Sequence, residues 1–217
     1  MAVIYATTMS PGKLDLLAAW LPTRPWYIDS GRVPQLRNVG GFRLDDPEGE
    51  VGLEFMMVTD GAGPEPVTYH LPLTYRGEPL DGGDDALIGT STHGVLGQRW
   101  IYDGSRDPVS VAQTVALLAG WVRPQAQHDS ETPDTSIVVT PTELAHPATD
   151  LVSATDRDSC TEIVVGGQDQ AEAIVRVHRI PSAAHPPFAD TANGQVSARW
   201  RLPDHASVSG VVLAIVA

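Results

Sequence analysis

VGGFRLDDPEGEVGLEFMMVTDGAGPEPVTYHLPLTYR, residues 39–76, carries the strongest strand signals in the chain. Gly40 to Leu44 reads as a short strand, and Asp45-Asp46-Pro47-Glu48-Gly49 has turn chemistry throughout. From Glu50 to Asp60, Val51, Leu53, Phe55 and Met57 share one face of a longer strand. The opposite face holds Gly52, Glu54, Met56 and Val58, so it too is partly covered. After Gly61-Ala62-Gly63-Pro64, the residues Val67, Tyr69, Leu71 and Leu73 alternate with Thr68, His70, Pro72 and Thr74. Pro72 donates no backbone hydrogen bond, which predicts a sheet edge or a bulge there. Consecutive strands with short turns make an antiparallel meander whose apolar face needs a cover.

The segments on either side supply one. Ser10-Pro11 has the form of a helix start, and Leu14, Leu17, Ala18 and Leu21 fall on one stripe before Pro22 stops the helix. Trp26 and Tyr27 are expected to anchor the irregular stretch that follows. Downstream of the loop Asp81–Asp85, strands are expected over Ala86–Thr92 and Gln98–Tyr102. Asp107-Pro108 opens a second helix, with Val111, Val115, Leu118 and Val122 on its stripe and Arg123-Pro124 as its stop. PQAQHDSETP, residues 124–133, is polar and aperiodic and marks a boundary. The rest is strand-rich, with strands over Ser136–Thr140, Thr161–Val165, Ala171–Ile180, Gln195–Leu202 and Ser207–Val216 and a Pro-rich loop from Pro181 to Gly194. The organisation expected is an α+β domain over 1–123, a linker over 124–134 and a small β-rich domain over 135–217.

Composition narrows the function classes. The 217 residues are 42% hydrophobic and 19% charged, an ordinary globular balance, with a formal charge of −13. That field repels phosphate backbones and anionic lipid, so neither nucleic acid nor a membrane is expected as a partner. Cys160 is the single cysteine, which excludes an internal disulfide and a cysteine zinc cage. MAVIYATTMSPGK lacks a signal-peptide pattern, and VSGVVLAIVA is too short to span a bilayer. A cytoplasmic protein is expected.

Local patterns of chemistry are weak. Gly89–Gly94 superficially resembles a phosphate loop, but Val95 and Leu96 stand where Lys and Ser or Thr are needed. Ser91 near His93 departs from the nucleophile elbow in spacing and context. His70, His93, His128, His146, His178, His185 and His205 form no local metal-binding pair, and no metal or cofactor is expected. Asp81–Asp85 lacks the ligand alternation of a calcium loop. Glu48, Glu50 and Glu54 offer carboxylates, and Glu50 and Glu54 share strand parity, as a glycosidase pair could; a polar sheet surface is the plainer reading. The five tryptophans read mainly as core.

MSPGKLDLLAAWLPTRPWY, VGGFRLDDPEGEVGLEF, YHLPLTYRGEPL, ALIGTSTHGVLGQRWIYDG and DPVSVAQTVALLAGW, taken in order across residues 1–123, resemble the N-terminal cap domain of actinobacterial maltokinases. That resemblance implies a curved, cystatin-like antiparallel sheet wrapped on a helix, seated in the full enzyme against a kinase N-lobe that phosphorylates maltose in trehalose and α-glucan (glycogen) metabolism. Stand-alone relatives of this kind are often labelled 1,4-α-glucan branching proteins, a label no residue here supports. No H-x-D-x-x-x-x-N or D-F-G run is present, so the kinase chemistry is missing. Glu162–Val165 and Glu172–Ile180 look like two strands of a degenerate, pseudokinase-like N-lobe, which would put Arg176 at the nucleotide-lysine position. Arg keeps the charge there but not the shape of an ammonium. The reading that follows is a non-catalytic accessory or regulatory module, with a kinase, an α-glucan enzyme or a second copy as partner. A degenerate nucleotide- or sugar-binding module and an α-glucan-acting enzyme are the alternatives.

Overall fold

The computed structural model describes residues 8–127, 132–143, 148–167, 170–182, 194–203 and 205–216. His128, His146, His185 and most of the Pro-rich loop lie outside them. In chain order the elements are β1 (Met9–Ser10), α1 (Lys13–Trp20), β2 (Leu36–Leu44), β3 (Gly52–Asp60), β4 (Val67–Arg76), β5 (Leu87–His93), β6 (Gly97–Asp103), α2 (Pro108–Leu118), β7 (Gln125–Ala126), β8 (Val138–Thr140), β9 (Asp150–Asp156), β10 (Cys160–Gly167), β11 (Gln170–His178), β12 (Gln195–Arg201) and β13 (Ser207–Val216). Among the described residues they form two antiparallel sheets, ordered β1-β5-β6-β4-β3-β2-β7 and β8-β12-β13-β11-β10-β9. Register shifts leave Val39 and Ile88 as extra residues in β2 and β5, and such bulges curl the first sheet.

The expected hairpins are present. Asp46 closes the β2–β3 turn by accepting hydrogen bonds from the N–H groups of Glu48, Glu50 and Val51 at 3.1, 3.0 and 2.9 Å. β3 is buried on both sides: Leu53, Phe55 and Met57 enter one core, Met56 and Val58 the other. Each such side chain contributes about 1.5–3 kcal/mol when fully buried. α1 covers the second core, where Leu17, Trp20 and Leu21 meet Tyr69, Leu71 and Leu73.

Two helix boundaries differ from expectation. Ser10 pairs with Thr92 as part of β1 and is not available to cap α1. Gly12 is the N-cap, and its N–H reaches Asp15 Oδ2 at 3.2 Å. α2 starts as expected, with the Asp107 side chain accepting from Val109 N–H at 3.0 Å and Pro108 in the first turn. It stops at Leu118, short of Arg123, because Gly120 adopts φ +74° and turns the chain out of the helix.

Pro72 marks the place where the two sheets join. β4 pairs with β3 throughout but with β6 only from Leu73 to Arg76. Pro72 therefore lies just past the end of the β6 ladder, an edge position as expected. Two residues earlier, on the same side, His70 N–H donates to the carbonyl of Arg179 at 2.9 Å.

The other face of the first sheet packs on α2 and the second sheet. Phe42, Leu53 and Phe55, then Val111, Val115 and Leu118, then Val165, Val175, Trp200 and Ile215 belong to one continuous core. Within the stretch 124–134, Gln125 and Ala126 pair with Arg43 and Phe42. β9 was not legible in DLVSATD; it is a sheet edge whose outward Val152 is exposed, so burial did not impose alternation on its sequence.

Candidate functional site

Arg176 stands on the outward face of β11, directly across from Glu162 on β10. Its Nη2 lies 2.7 Å from Glu162 Oε1, while Arg157 Nε holds Oε2 at 3.0 Å. Hydrogen bonds from Arg176 and then Arg157 keep the Glu162 carboxyl below its ordinary pKa. The geometry is a cross-strand ion triad on a sheet surface.

The serine and histidine of the glycine-rich segment do not meet as nucleophile and base. Ser91 Oγ donates to the Pro11 carbonyl at 2.7 Å. His93 Nδ1 accepts from the N–H groups of Val95 and Leu96 at 3.3 and 3.0 Å, closing the β5–β6 turn. Thr90 to His93 are laddered to β6, so the segment is strand and turn, with its N–H groups unable to cradle a phosphate.

Glu50 and Glu54 are also separated by their surroundings. Glu50 is exposed before β3 begins, whereas Glu54 is buried within it. Both Glu54 oxygens accept from Lys13 Nζ at 2.9 Å, with Tyr75 Oη at 2.6 Å and Gln127 Nε2 at 2.8 Å completing the shell. Burial alone raises this carboxyl's pKa, but the charge of Lys13 and the donated hydrogen bonds outweigh it and hold the group low. A carboxylate so enclosed ties α1, β3, β4 and the segment after α2 together and has no oxygen left for a substrate.

The most heavily bonded polar cluster was not singled out in the sequence. Arg179, fully buried at the end of β11, donates Nε to Thr161 Oγ1 at 2.8 Å and Nη2 to Ser105 Oγ at 2.9 Å, and pairs with Asp103. Its guanidinium stacks over Trp26 at 4.9 Å. Beside it, Arg106 reaches from the first half of the chain to the Ala154 carbonyl at 2.8 Å and to Asp156 at 3.0 Å. Only the clustering of charge in RVHR, residues 176–179, could have hinted at Arg179, and that pattern is equally that of an exposed strand end.

A shallow groove of about 270 Å³ is lined by Asp45, Val122, Arg123, Pro124, Gln125 and Pro133. The β5–β6 turn presents Val95 and Leu96, 60% and 43% exposed, on a frame fixed by His93 and by Arg99 Nη2 bonding the Leu96 carbonyl at 2.7 Å. Among the described residues no three His, Cys, Asp or Glu side chains converge as metal ligands, and no helix is long and apolar enough to cross a membrane.

The comparisons with known proteins bear on the first sheet. No curated protein matches the chain. Residues 20–107 match the family model of the maltokinase N-terminal cap domain, a span running from the end of α1 through β2–β6 to the cap of α2. The curled sheet around which this chain folds is thus similar, over that span, to a maltokinase N-terminal cap domain.

Proposed function

We propose that this chain is a non-catalytic interaction module that works beside an enzyme of maltose, trehalose or α-glucan metabolism in the cytoplasm. The match over residues 20–107 carries the reading. The bonding of Ser91, His93 and Glu54 into structural contacts supports it, because groups spent on the fold are poor candidates for chemistry. The sheet edge at Pro72 is occupied by the chain itself, through His70 and Arg179. The β5–β6 turn is then the better contact surface: it is rigidly framed and presents two aliphatic side chains to solvent.

Affinity capture from native extract is expected to recover an enzyme that phosphorylates or transfers glucose or maltose units. A variant carrying Val95→Asp and Leu96→Asp should lose at least tenfold in capture with an unchanged circular dichroism spectrum. Recovery of no such enzyme at high protein loading would defeat the proposal, and capture undiminished by the double substitution would defeat its choice of surface.

A second reading is a degenerate, N-lobe-like nucleotide site at Arg176. It is favoured by one observation, a cation facing a glutamate across adjacent strands. On that reading millimolar ATP with magnesium raises the melting temperature of the wild type and not of Arg176→Ala, since a ligand selective for the folded state stabilises it. No shift in the wild type removes the reading.

A further inference from the structure

His70 occupies the joint between the two sheets in a setting that disfavours a charge. Its side chain is fully buried and stacks on Phe55 at 6.1 Å, with 19° between the rings. Its backbone N–H makes the 2.9 Å bond to Arg179 that links β4 to the end of β11. Neither ring nitrogen has a partner at hydrogen-bonding geometry. The titratable groups facing the ring, Arg179 and His178, both come from the end of β11 and are both cationic when protonated; the ring also meets the backbones of His178 and, from β13, Val212, which favour a proton but are outweighed by burial and Arg179. The nearest acid in the network, Asp103, is committed, with Oδ2 on Arg179 and Oδ1 on the Ser105 N–H.

We propose that His70 makes the joint between the two sheets acid-labile, because its imidazole can take up a proton only when that joint opens. Burial, and then the charge of Arg179, push its pKa down to about 3 while the joint is closed. In an open or unfolded state an imidazole titrates near its ordinary value of about 6.5. Above that pH both states are neutral and the joint keeps its full stability. Below it the open state alone gains the proton, so the opening constant rises about tenfold per pH unit until about pH 3. The carboxyls of Glu54, Asp156 and Glu162 are held below their ordinary values and add to the effect only below about pH 4. This inference is independent of the proposed function.

Native-state amide exchange on the full chain, corrected for the intrinsic pH dependence of exchange, reads the joint directly. The His70 amide is the reporter. Its opening constant is expected to rise about 50-fold between pH 6.5 and pH 4.5. His70→Phe, which keeps a ring against Phe55, should flatten that dependence, and His70→Gln serves if the phenylalanine variant fails to fold. A flat profile in the wild type overturns the proposal. So does an undiminished slope in the His70 variants, or a slope that disappears in His178→Gln instead.

Discussion

Arg179→Ala is expected to cost about 3–5 kcal/mol of unfolding free energy, the range for removing one partner from a buried ion pair. In a chain of this size that lowers the melting temperature by roughly 10 °C. The magnitude follows from what the substitution abandons. Asp103 would remain buried with its carboxylate unpaired, and Thr161 and Ser105 would each lose a donor. Trp26 would lose the guanidinium over its ring as well. Arg179→Lys should recover little, because an ammonium cannot reach Thr161, Ser105 and Asp103 with a planar fork. The double variant Arg179→Met with Asp103→Leu should lie closer to wild type than Arg179→Ala, since removing both charges removes the desolvation cost with them. Chemical denaturation of the four proteins checks this; a loss under about 1 kcal/mol for Arg179→Ala would show that the pair does not hold the sheets together.

The second large effect is expected at Gly41. This residue lies in β2 at φ +143°, and an added Cβ would sit 2.4 Å from the Phe55 carbonyl oxygen and 3.2 Å from Met56 Cα. Both are backbone atoms of the neighbouring strand, so no side chain can swing aside. Just before it, Gly40 brings β2 against Arg199 and Trp200 of β12. Gly41→Ala therefore combines unfavourable backbone geometry with a clash in the central ladder, at about 3–4 kcal/mol. Gly49 provides the contrast. It also has a positive φ, +76°, but nothing lies within 4 Å of its added Cβ. Gly49→Ala should cost only the conformational part, about 1–2 kcal/mol. Equal denaturation midpoints for the two alanine variants would refute the steric argument.

Several parts of this architecture were legible in the chain because they depend on neighbours in sequence. The alternation of Val51, Leu53, Phe55 and Met57 with Met56 and Val58 announced a strand covered on both sides, and β3 is one. Asp107-Pro108 announced the start of α2 by chemistry confined to one turn. The absence of a backbone donor at Pro72 announced an edge or a bulge, and it lies at an edge. Signals that depend on competition were misread: Ser10 is a good cap in isolation, but pairing with Thr92 takes it into a strand. Gly120 ended α2 before Arg123-Pro124 could, because one left-handed residue suffices to break the helix.

The candidate site was less legible than the fold. Ser91, His93, Glu50 and Glu54 were chosen for what their side chains can do, and Arg176 for its place in a kinase-like pair of strands; the fold gave Ser91, Glu54 and Arg176 structural partners 14 or more residues away in sequence. Glu54 is satisfied from Lys13, Tyr75 and Gln127, none of which lies near it in the chain. Conversely, Arg179 and His70 carry no local pattern that separates them from ordinary strand residues.

By itself, then, the amino-acid sequence determined most elements of this protein, which rest on periodicity, turns and caps within a few residues, and its resemblance to cap domains marked the first sheet as cap-like. Only the tertiary structure decided that the β-rich second half completes the core of the first, that Gly40 lets β2 lie against β12, and that a buried arginine and a buried histidine sit at the joint. Those features arise from contacts between residues some 70 to 160 positions apart, where burial and charge pairing set the energies and sequence spacing carries no record of them.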